Sequence, residues 1–278
     1  MKPLIKEIEG RKKYGKNVLV IAGVHGDELT PIYAVSKMLE KNSFNGVLDH
    51  FSKITVINGL NISGLRNNSR EIASNSTQDL NRMFSKETPV ECVEILKNNI
   101  EKNDVIIDIH SSPNCANFAL IDIDEYTESI MNWCDDANII CAFRYSGADT
   151  IKRYCLDQGK LAVTIELNKM SVVDKDSAHD CEKMVNNLIV KSSDFKLKKS
   201  DFTIKEPLRE LKTHKEGIID NYKKNGEYIS EGSVICEIFD FEMMKIGDIK
   251  AETSGYVICQ PSNDYVKRGD TVFLIQPE

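Results

Sequence analysis

Four short stretches, far apart along the chain, carry the residue types of a site that binds a metal and activates water. They are His25-Gly26-Asp27-Glu28, Asp79-Leu80-Asn81-Arg82, Asp108-Ile109-His110 and Thr164-Ile165-Glu166. Two imidazoles and a carboxylate, from His25, His110 and Glu28, make the ligand set with which zinc keeps a coordination position open for water. Glu166 remains as a separate carboxylate, the type of group that takes a proton from such a water. The chemistry expected of this set is metal-assisted attack of water on an amide.

Taken singly, each signal is weak. An H-x-x-E pair is common, and an isolated histidine such as His110 is more often structural than a ligand. A carboxylate at Glu166 can simply mark a strand's exit into solvent, and an arginine taken alone is usually solvent-facing charge. The weight comes from all four stretches occurring in one chain.

The elements that must carry these residues are legible as an alternation. Short β-branched runs at 17–22, 53–58, 104–109, 138–142 and 161–165 predict strands, and helical patterns lie at 28–41, 89–102, 126–135 and 176–190. The near-continuous apolar runs Val18-Leu19-Val20-Ile21 and Val105-Ile106-Ile107 fit strands buried on both faces. This pattern predicts an α/β fold with a mixed, largely parallel sheet flanked by helices. His25, His110 and Glu166 each fall at or just beyond the carboxyl end of a predicted strand, where open α/β sheets bind their ligands. His25 and Glu28 are expected to share one face of the first turn of a helix, with Gly23 and Gly26 allowing a sharp loop before it. Asp108 and His110, two apart on a strand, share a face, so Asp108 can orient a ligand histidine.

Bulk properties narrow the class. The chain has 278 residues, 41% hydrophobic and 28% charged, close to the globular norm. A net charge of −7 argues against general nucleic-acid binding, which needs a basic face. No run approaches the roughly 18 apolar residues of a membrane helix, and residues 1–16 lack a signal-type apolar core. Eight scattered cysteines without a C-x-x-C pair suggest reduced, mostly buried thiols and a cytoplasmic protein. A homo-oligomer is left open. His50, His179 and His214 have no ligand-type neighbours at useful spacing, and Trp133 and the tyrosines read as core or rim.

With these motifs in view, the chain resembles the succinylglutamate desuccinylase/aspartoacylase family of zinc carboxypeptidase-like enzymes. The resemblance rests on Gly23-Val24-His25-Gly26-Asp27-Glu28, Asn61 with Arg70, Asp79-Leu80-Asn81-Arg82, Asp108-Ile109-His110 and Ile165-Glu166, and covers most of the first 170 residues. It implies a single zinc ion held by His25, Glu28 and His110, with Glu166 as general base and later proton donor. It also implies that Arg70 polarises the scissile carbonyl, with Arg66 as its competitor, and that Asn61, Asn81 and Arg82 belong to the substrate side of the site. Asn81 and Arg82 would grip a carboxylate, which a planar guanidinium suits through paired hydrogen bonds. The implied substrate is a small molecule bearing a carboxylate, an N-acyl amino acid or related amine. A zinc carboxypeptidase uses the same metal and base, so these motifs do not separate the two. The sequence departs from the family in a long stretch between Arg70 and Asn81 and in Leu167-Asn168, where a glycine often follows the base.

A lysine-rich stretch at 191–215 reads as a linker, dividing a catalytic domain at 1–195 from a β-rich domain at 196–278. The second carries a weak internal repeat. Gly217-Ile218-Ile219 followed by Tyr228-Ile229 and Val234 parallels Gly255-Tyr256-Val257 followed by Tyr265-Val266 and Val272. Two such halves predict a small all-β barrel of interlocked hairpins. Glu242-Met243-Met244-Lys245-Ile246, continued by Ala251-Glu252-Thr253-Ser254-Gly255-Tyr256-Val257, resembles the attachment region of biotinyl and lipoyl domains, which implies a barrel of that kind. Met243 and Ile246 depart from the biotin-attachment sequence, so Lys245 is expected to remain unmodified. The domain is expected instead to wall the mouth of the site and restrict access. A carrier or interaction protein with a disused metal site is the alternative from a different class.

Overall fold

Val18 to Ile21 are wholly inaccessible to solvent, as are Val105, Ile106 and Ile107, and these runs form the middle of a sheet. Burying each such side chain contributes about 1.5–3 kcal/mol, which fixes the strands that carry the site. The computed structural model describes residues 2–72, 78–84, 90–145, 147, 149–200, 205–220 and 222–278.

The sheet has seven strands: β1 (Leu4–Glu9), β2 (Asn17–Ala22), β3 (Lys53–Asn58), β4 (Val105–Ser112), β5 (Phe118–Asp122), β6 (Cys141–Arg144) and β7 (Leu161–Asn168), in the order β1-β3-β2-β4-β7-β5-β6. Pairs β3/β2, β2/β4 and β4/β7 are parallel, whereas β1/β3 and β5/β7 are antiparallel. The sheet is therefore mixed, with its parallel part at the centre. Helices α1 (Leu29–Glu40), α2 (Ile62–Asn67), α3 (Glu91–Glu101), α4 (Thr127–Asp136), α5 (Ile151–Asp157) and α6 (Lys175–Ser192) connect the strands. Pro89, the expected start of the third helical segment, lies outside the described residues.

Two strands escape the sequence pattern. In β1 the run Leu-Ile-Lys-Glu-Ile-Glu stays almost entirely exposed at the sheet edge, so it carries no buried face to read. β5 is fully buried but short, and no alternation marks it. The strand expected at 138–142 starts later, at Cys141, because Asn138 takes a left-handed φ of 60° just after α4.

The chain folds as two compact units, one of Met1–Ser112, Asn117–Cys141 and Tyr145–Thr203, the other of Pro113–Ala116, Ala142–Arg144 and Ile204–Glu278. In the second unit, β8 (Arg209–Lys212), β9 (Gly217–Asp220), β10 (Tyr228–Ile229), β11 (Val234–Phe239), β12 (Lys245–Lys250), β13 (Gly255–Cys259), β14 (Tyr265–Val266) and β15 (Thr271–Pro277) form two four-stranded sheets. Their orders are β10-β13-β15-β8 and β12-β11-β9-β14. Both sheets feed one core, which joins Val257 and Phe273 from the first with Ile219, Ile235 and Ile238 from the second.

The internal repeat explains this arrangement. Ile229 of β10 pairs with Gly255 of β13, and Val266 of β14 pairs with Gly217 of β9. Each half of the repeat thus lends its short second strand to the first strand of the other half. Lys245 opens β12, where its ammonium lies 2.6 Å from Glu237 Oε1 and 2.7 Å from Asp248 Oδ1.

The expectation of reduced thiols fails at one pair. Cys115 and Cys259, whose Cα atoms stand 3.9 Å apart across an isolated antiparallel bridge, are joined in a disulfide. Their separation of 144 residues leaves no local spacing from which the pairing could have been read. The remaining described cysteines are free, and Cys134, Cys155, Cys181 and Cys236 among them are buried. No helix among the described residues is long and apolar enough to cross a membrane.

Candidate active site

β2 delivers the chain to Gly23, whose φ of 79° is readily available only to glycine and turns the backbone off the sheet. Three residues later Gly26 packs so tightly on α2 that a Cβ there would lie 1.9 Å from the Gly64 carbonyl carbon. Between them, His25 is held in a bend. Glu28 occupies the N-cap position of α1 with φ −95° and ψ 84°, so neither residue lies in a helix. The expected helical face is therefore a turn, and His25 and Glu28 meet because the ends of a turn approach one another just as helical i,i+3 neighbours do.

His25 Nδ1 lies 2.6 Å from Glu28 Oε1, and His110 Nδ1 lies 3.1 Å from Glu28 Oε2. The Ser111 backbone N–H donates to Glu28 Oε2 at 3.0 Å, fixing the carboxylate between the two rings. The two Nδ1 atoms stand 3.1 Å apart. On their far sides, His25 Nε2 faces Asp79 Oδ1 at 3.0 Å and His110 Nε2 faces Asp108 Oδ2 at 2.9 Å. A carboxylate at Nε2 draws the ring proton there and leaves Nδ1 as a lone pair.

This arrangement answers whether the residues fit a cation. His25, Glu28 and His110 are all buried, and their candidate ligand atoms lie within 4.8 Å of one another. Two imidazole lone pairs and a carboxylate facing one another in low dielectric repel unless positive charge lies among them. In the metal-free chain protons must supply that charge. Burial alone would depress His110, yet the Asp108 and Glu28 carboxylates raise it well above the ordinary histidine value. Burial would likewise raise Glu28, but the charge and hydrogen bond of His110, with those of His25, hold it at about 2. For Asp79, too, the penalty of burial is outweighed, by His25 and Arg70, and its pKa falls below the ordinary carboxylate range. A divalent ion satisfies the same lone pairs without protons, and nitrogen and oxygen donors of this number suit zinc.

Glu166 lies beside this group by strand register. His110 of β4 is the direct partner of Glu166 on β7, and residues in register on adjacent parallel strands project from the same face. Glu166 is buried and accepts a hydrogen bond from Ser112 Oγ at 2.8 Å.

The arginines separate clearly. Arg70 binds Asp79 Oδ2 through Nε at 3.1 Å and Nη2 at 3.0 Å, and its Nη1 approaches Glu28 Oε1 at 3.5 Å. Arg66 sits exposed in the last turn of α2. Arg82 is exposed, with Nη1 donating to the Asn81 carbonyl. Asn81 is buried and its amide oxygen accepts from the Ile151 N–H at 2.9 Å, the start of α5. Asn61 caps α2 by accepting from Gly64 N and donates to the carbonyls of Arg70 and Glu71, so it fixes the backbone that carries Arg70. Two contacts are not announced by the sequence. Asp79 heads one of the four stretches but its contact with His25 is not signalled, and Ser112 lies in none of the stretches; both contacts join elements remote in sequence.

The model of the succinylglutamate desuccinylase/aspartoacylase catalytic domain matches residues 14–191, a span that includes every residue of the constellation. A search of the curated proteins finds no match. Among solved structures, the product-bound ectoine utilization protein EutE of Ruegeria pomeroyi superposes with a TM-score of 0.74 at 17% identity, covering 99% of this chain and 88% of that one. A succinylglutamate desuccinylase from a Silicibacter species gives 0.72 at 18% identity, covering 98% and 88%. An aspartoacylase family protein of Mesorhizobium loti gives 0.72 at 17% identity, covering 99% and 88%. At these identities the likeness is one of fold. With the match over the whole span that carries the site, the chain belongs to the succinylglutamate desuccinylase/aspartoacylase family, a family of deacylases.

Proposed function

We propose that this protein is a zinc-dependent amidohydrolase that removes the acyl group from a small N-acyl amino acid or related amine. The observation that carries the reading is the convergence of His25, Glu28 and His110 on one point, with Glu166 in register beside His110.

In this reading His25, Glu28 and His110 hold the ion. Bound zinc lowers the pKa of a coordinated water toward about 7 and offsets negative charge on a carbonyl oxygen. Asp79 and Asp108 keep the imidazoles in the tautomer that presents Nδ1. Glu166 accepts the proton of the attacking water and returns it to the leaving nitrogen, which departs as an amine. Arg70, anchored on Asp79 through Nε and Nη2, directs Nη1 toward the ligand group, where it stabilises the developing oxyanion. Arg82 supplies an exposed guanidinium for a substrate carboxylate, and Asn81 positions it through the adjoining backbone.

Lys245 bears on the carrier alternative. Its exposed ammonium is paired with two carboxylates, which favour the charged form over the free amine that attachment needs. The experiment is direct. Protein expressed with ample zinc should hold close to one zinc per chain and hydrolyse members of a panel of N-acetyl, N-succinyl and N-formyl amino acids. Absence of zinc removes the ligand assignment. Turnover confined to C-terminal dipeptides in the same panel replaces the deacylase with a carboxypeptidase.

A further inference from the structure

We propose that Ser112 is a positioning residue for Glu166: its hydroxyl holds one carboxylate oxygen and so sets the orientation in which the carboxylate meets the reacting water. The inference rests on Glu166 being the base of the amidohydrolase proposed above. Ser112 follows His110 by two positions on β4, so both side chains leave the same face of the sheet. Its own partner in register is Asn168, two positions beyond Glu166 on β7, which puts the hydroxyl diagonally across from the base. Ser112 Oγ donates to Glu166 Oε2 at 2.8 Å.

The geometry divides the labour along one strand. His110 turns toward Glu28 and His25, whereas Ser112 turns toward the base. Ser111, between them, contributes through its backbone: its N–H goes to Glu28 while its own hydroxyl lies buried without a hydrogen-bond partner. Three consecutive residues thus fix a ligand, its neighbouring carboxylate and the base. A glutamate side chain has several rotamers of similar energy, and a proton acceptor works only near hydrogen-bond distance of the proton that it removes. A donor from the adjacent strand, itself on a short side chain, selects one of those rotamers before substrate arrives.

Positioning makes a specific prediction. S112A should lower kcat by about tenfold to a hundredfold, the usual scale for losing a group that orients a site residue. KM for the N-acyl amino acid of the panel that is turned over fastest should stay within about twofold, because Ser112 acts on the base rather than on substrate binding. S112T, which keeps a hydroxyl on a strand-compatible side chain, should restore kcat. Zinc content and melting temperature should match the parent in both variants. An S112A enzyme with parental kcat, or an S112T enzyme as impaired as S112A, overturns the proposal. Crystal structures of the zinc-treated parent and S112A give a second readout that needs no turnover. The Glu166 carboxylate should occupy one rotamer in the parent and more than one, or a different one, in S112A; an unmoved carboxylate overturns the proposal. Loss of zinc or of hydrolysis in the parent itself would instead count against the amidohydrolase, and the rotamer comparison would still decide whether Ser112 holds Glu166.

Discussion

His110 and Glu166 are direct partners across the parallel strands β4 and β7, so the proposed ligand and the proposed base are spaced by the sheet rather than by a loop. Adjacent strands lie about 4.8 Å apart, and neither residue can shift without breaking the ladder that runs from Val105↔Leu161 to Ser112↔Asn168. The relative placement of base and ligand is therefore as rigid as the core. Other parts of the site, such as Arg70 and Arg82, come from connecting segments.

This rigidity makes Glu166→Gln a clean substitution. The amide keeps the size and strand position of the carboxylate but cannot take a proton. Zinc content should match the parent while turnover falls by about 10²–10⁴, the usual contribution of a general base. Metal analysis and steady-state assays on one preparation measure both. Full activity removes Glu166 from the mechanism.

Asp108 offers a separate test, because it touches His110 and not substrate. Its Oδ2 lies 2.9 Å from His110 Nε2, and its Oδ1 is buried without a hydrogen-bond partner. Asp108→Ala removes the acceptor that keeps the His110 proton on Nε2. Zinc affinity should weaken by about 10–100-fold, measured by competition with a chromophoric chelator. Retention of parental affinity would mean that His110 does not need this tautomer and would count against Nδ1 as the ligand atom.

Much of the site was legible in the sequence because its parts sit on strongly patterned strands. Runs such as Val18–Ile21 and Val105–Ile107 announce a buried sheet, and His110 and Glu166 follow at the carboxyl ends of β4 and β7. What the sequence could not supply was anything decided by packing between remote segments. The His25–Glu28 contact was expected from helical spacing, yet it arises in a turn held by Gly23 and by the close approach of Gly26 to α2. The linear motif puts Asn61 and Asn81 on the substrate side of the site, but it does not announce that their amide oxygens also accept from the backbone N–H groups of Gly64 and Ile151. Ser112 and the Cys115–Cys259 pair carry no local signature, since each acts on a partner brought near only by tertiary structure.

The charge pattern around Glu28 predicts how the metal-free protein responds to acid. Burial would raise its pKa, but His110 and His25 hold it at about 2, below the ordinary 4.5. A carboxylate depressed by folding contributes stability that is complete above the unfolded value and lost as pH falls through the folded one. The window therefore runs from about pH 5 down to about pH 2, with up to about 3 kcal/mol at stake from this group. His110 has the opposite sign: its raised value contributes in full below the ordinary histidine value of 6.5, and the contribution is lost as pH rises from there through the folded value. Urea midpoints of chelator-treated protein should fall across the acid window, and Glu28→Gln should flatten that fall. An equal fall in parent and variant would exclude Glu28 as its source.

The disulfide supplies the last prediction. It closes a separation of 144 residues, for which chain-entropy estimates give a stabilisation of about 5 kcal/mol through restriction of the unfolded chain. Protein purified without reductant should yield, after digestion, a peptide pair joined through Cys115 and Cys259. Dithiothreitol should then lower the urea midpoint. Cys115→Ser should begin at that lower midpoint and show no further response to reductant, because the other described cysteines are free. Finding both thiols free in unreduced protein would show that the pair does not form in solution.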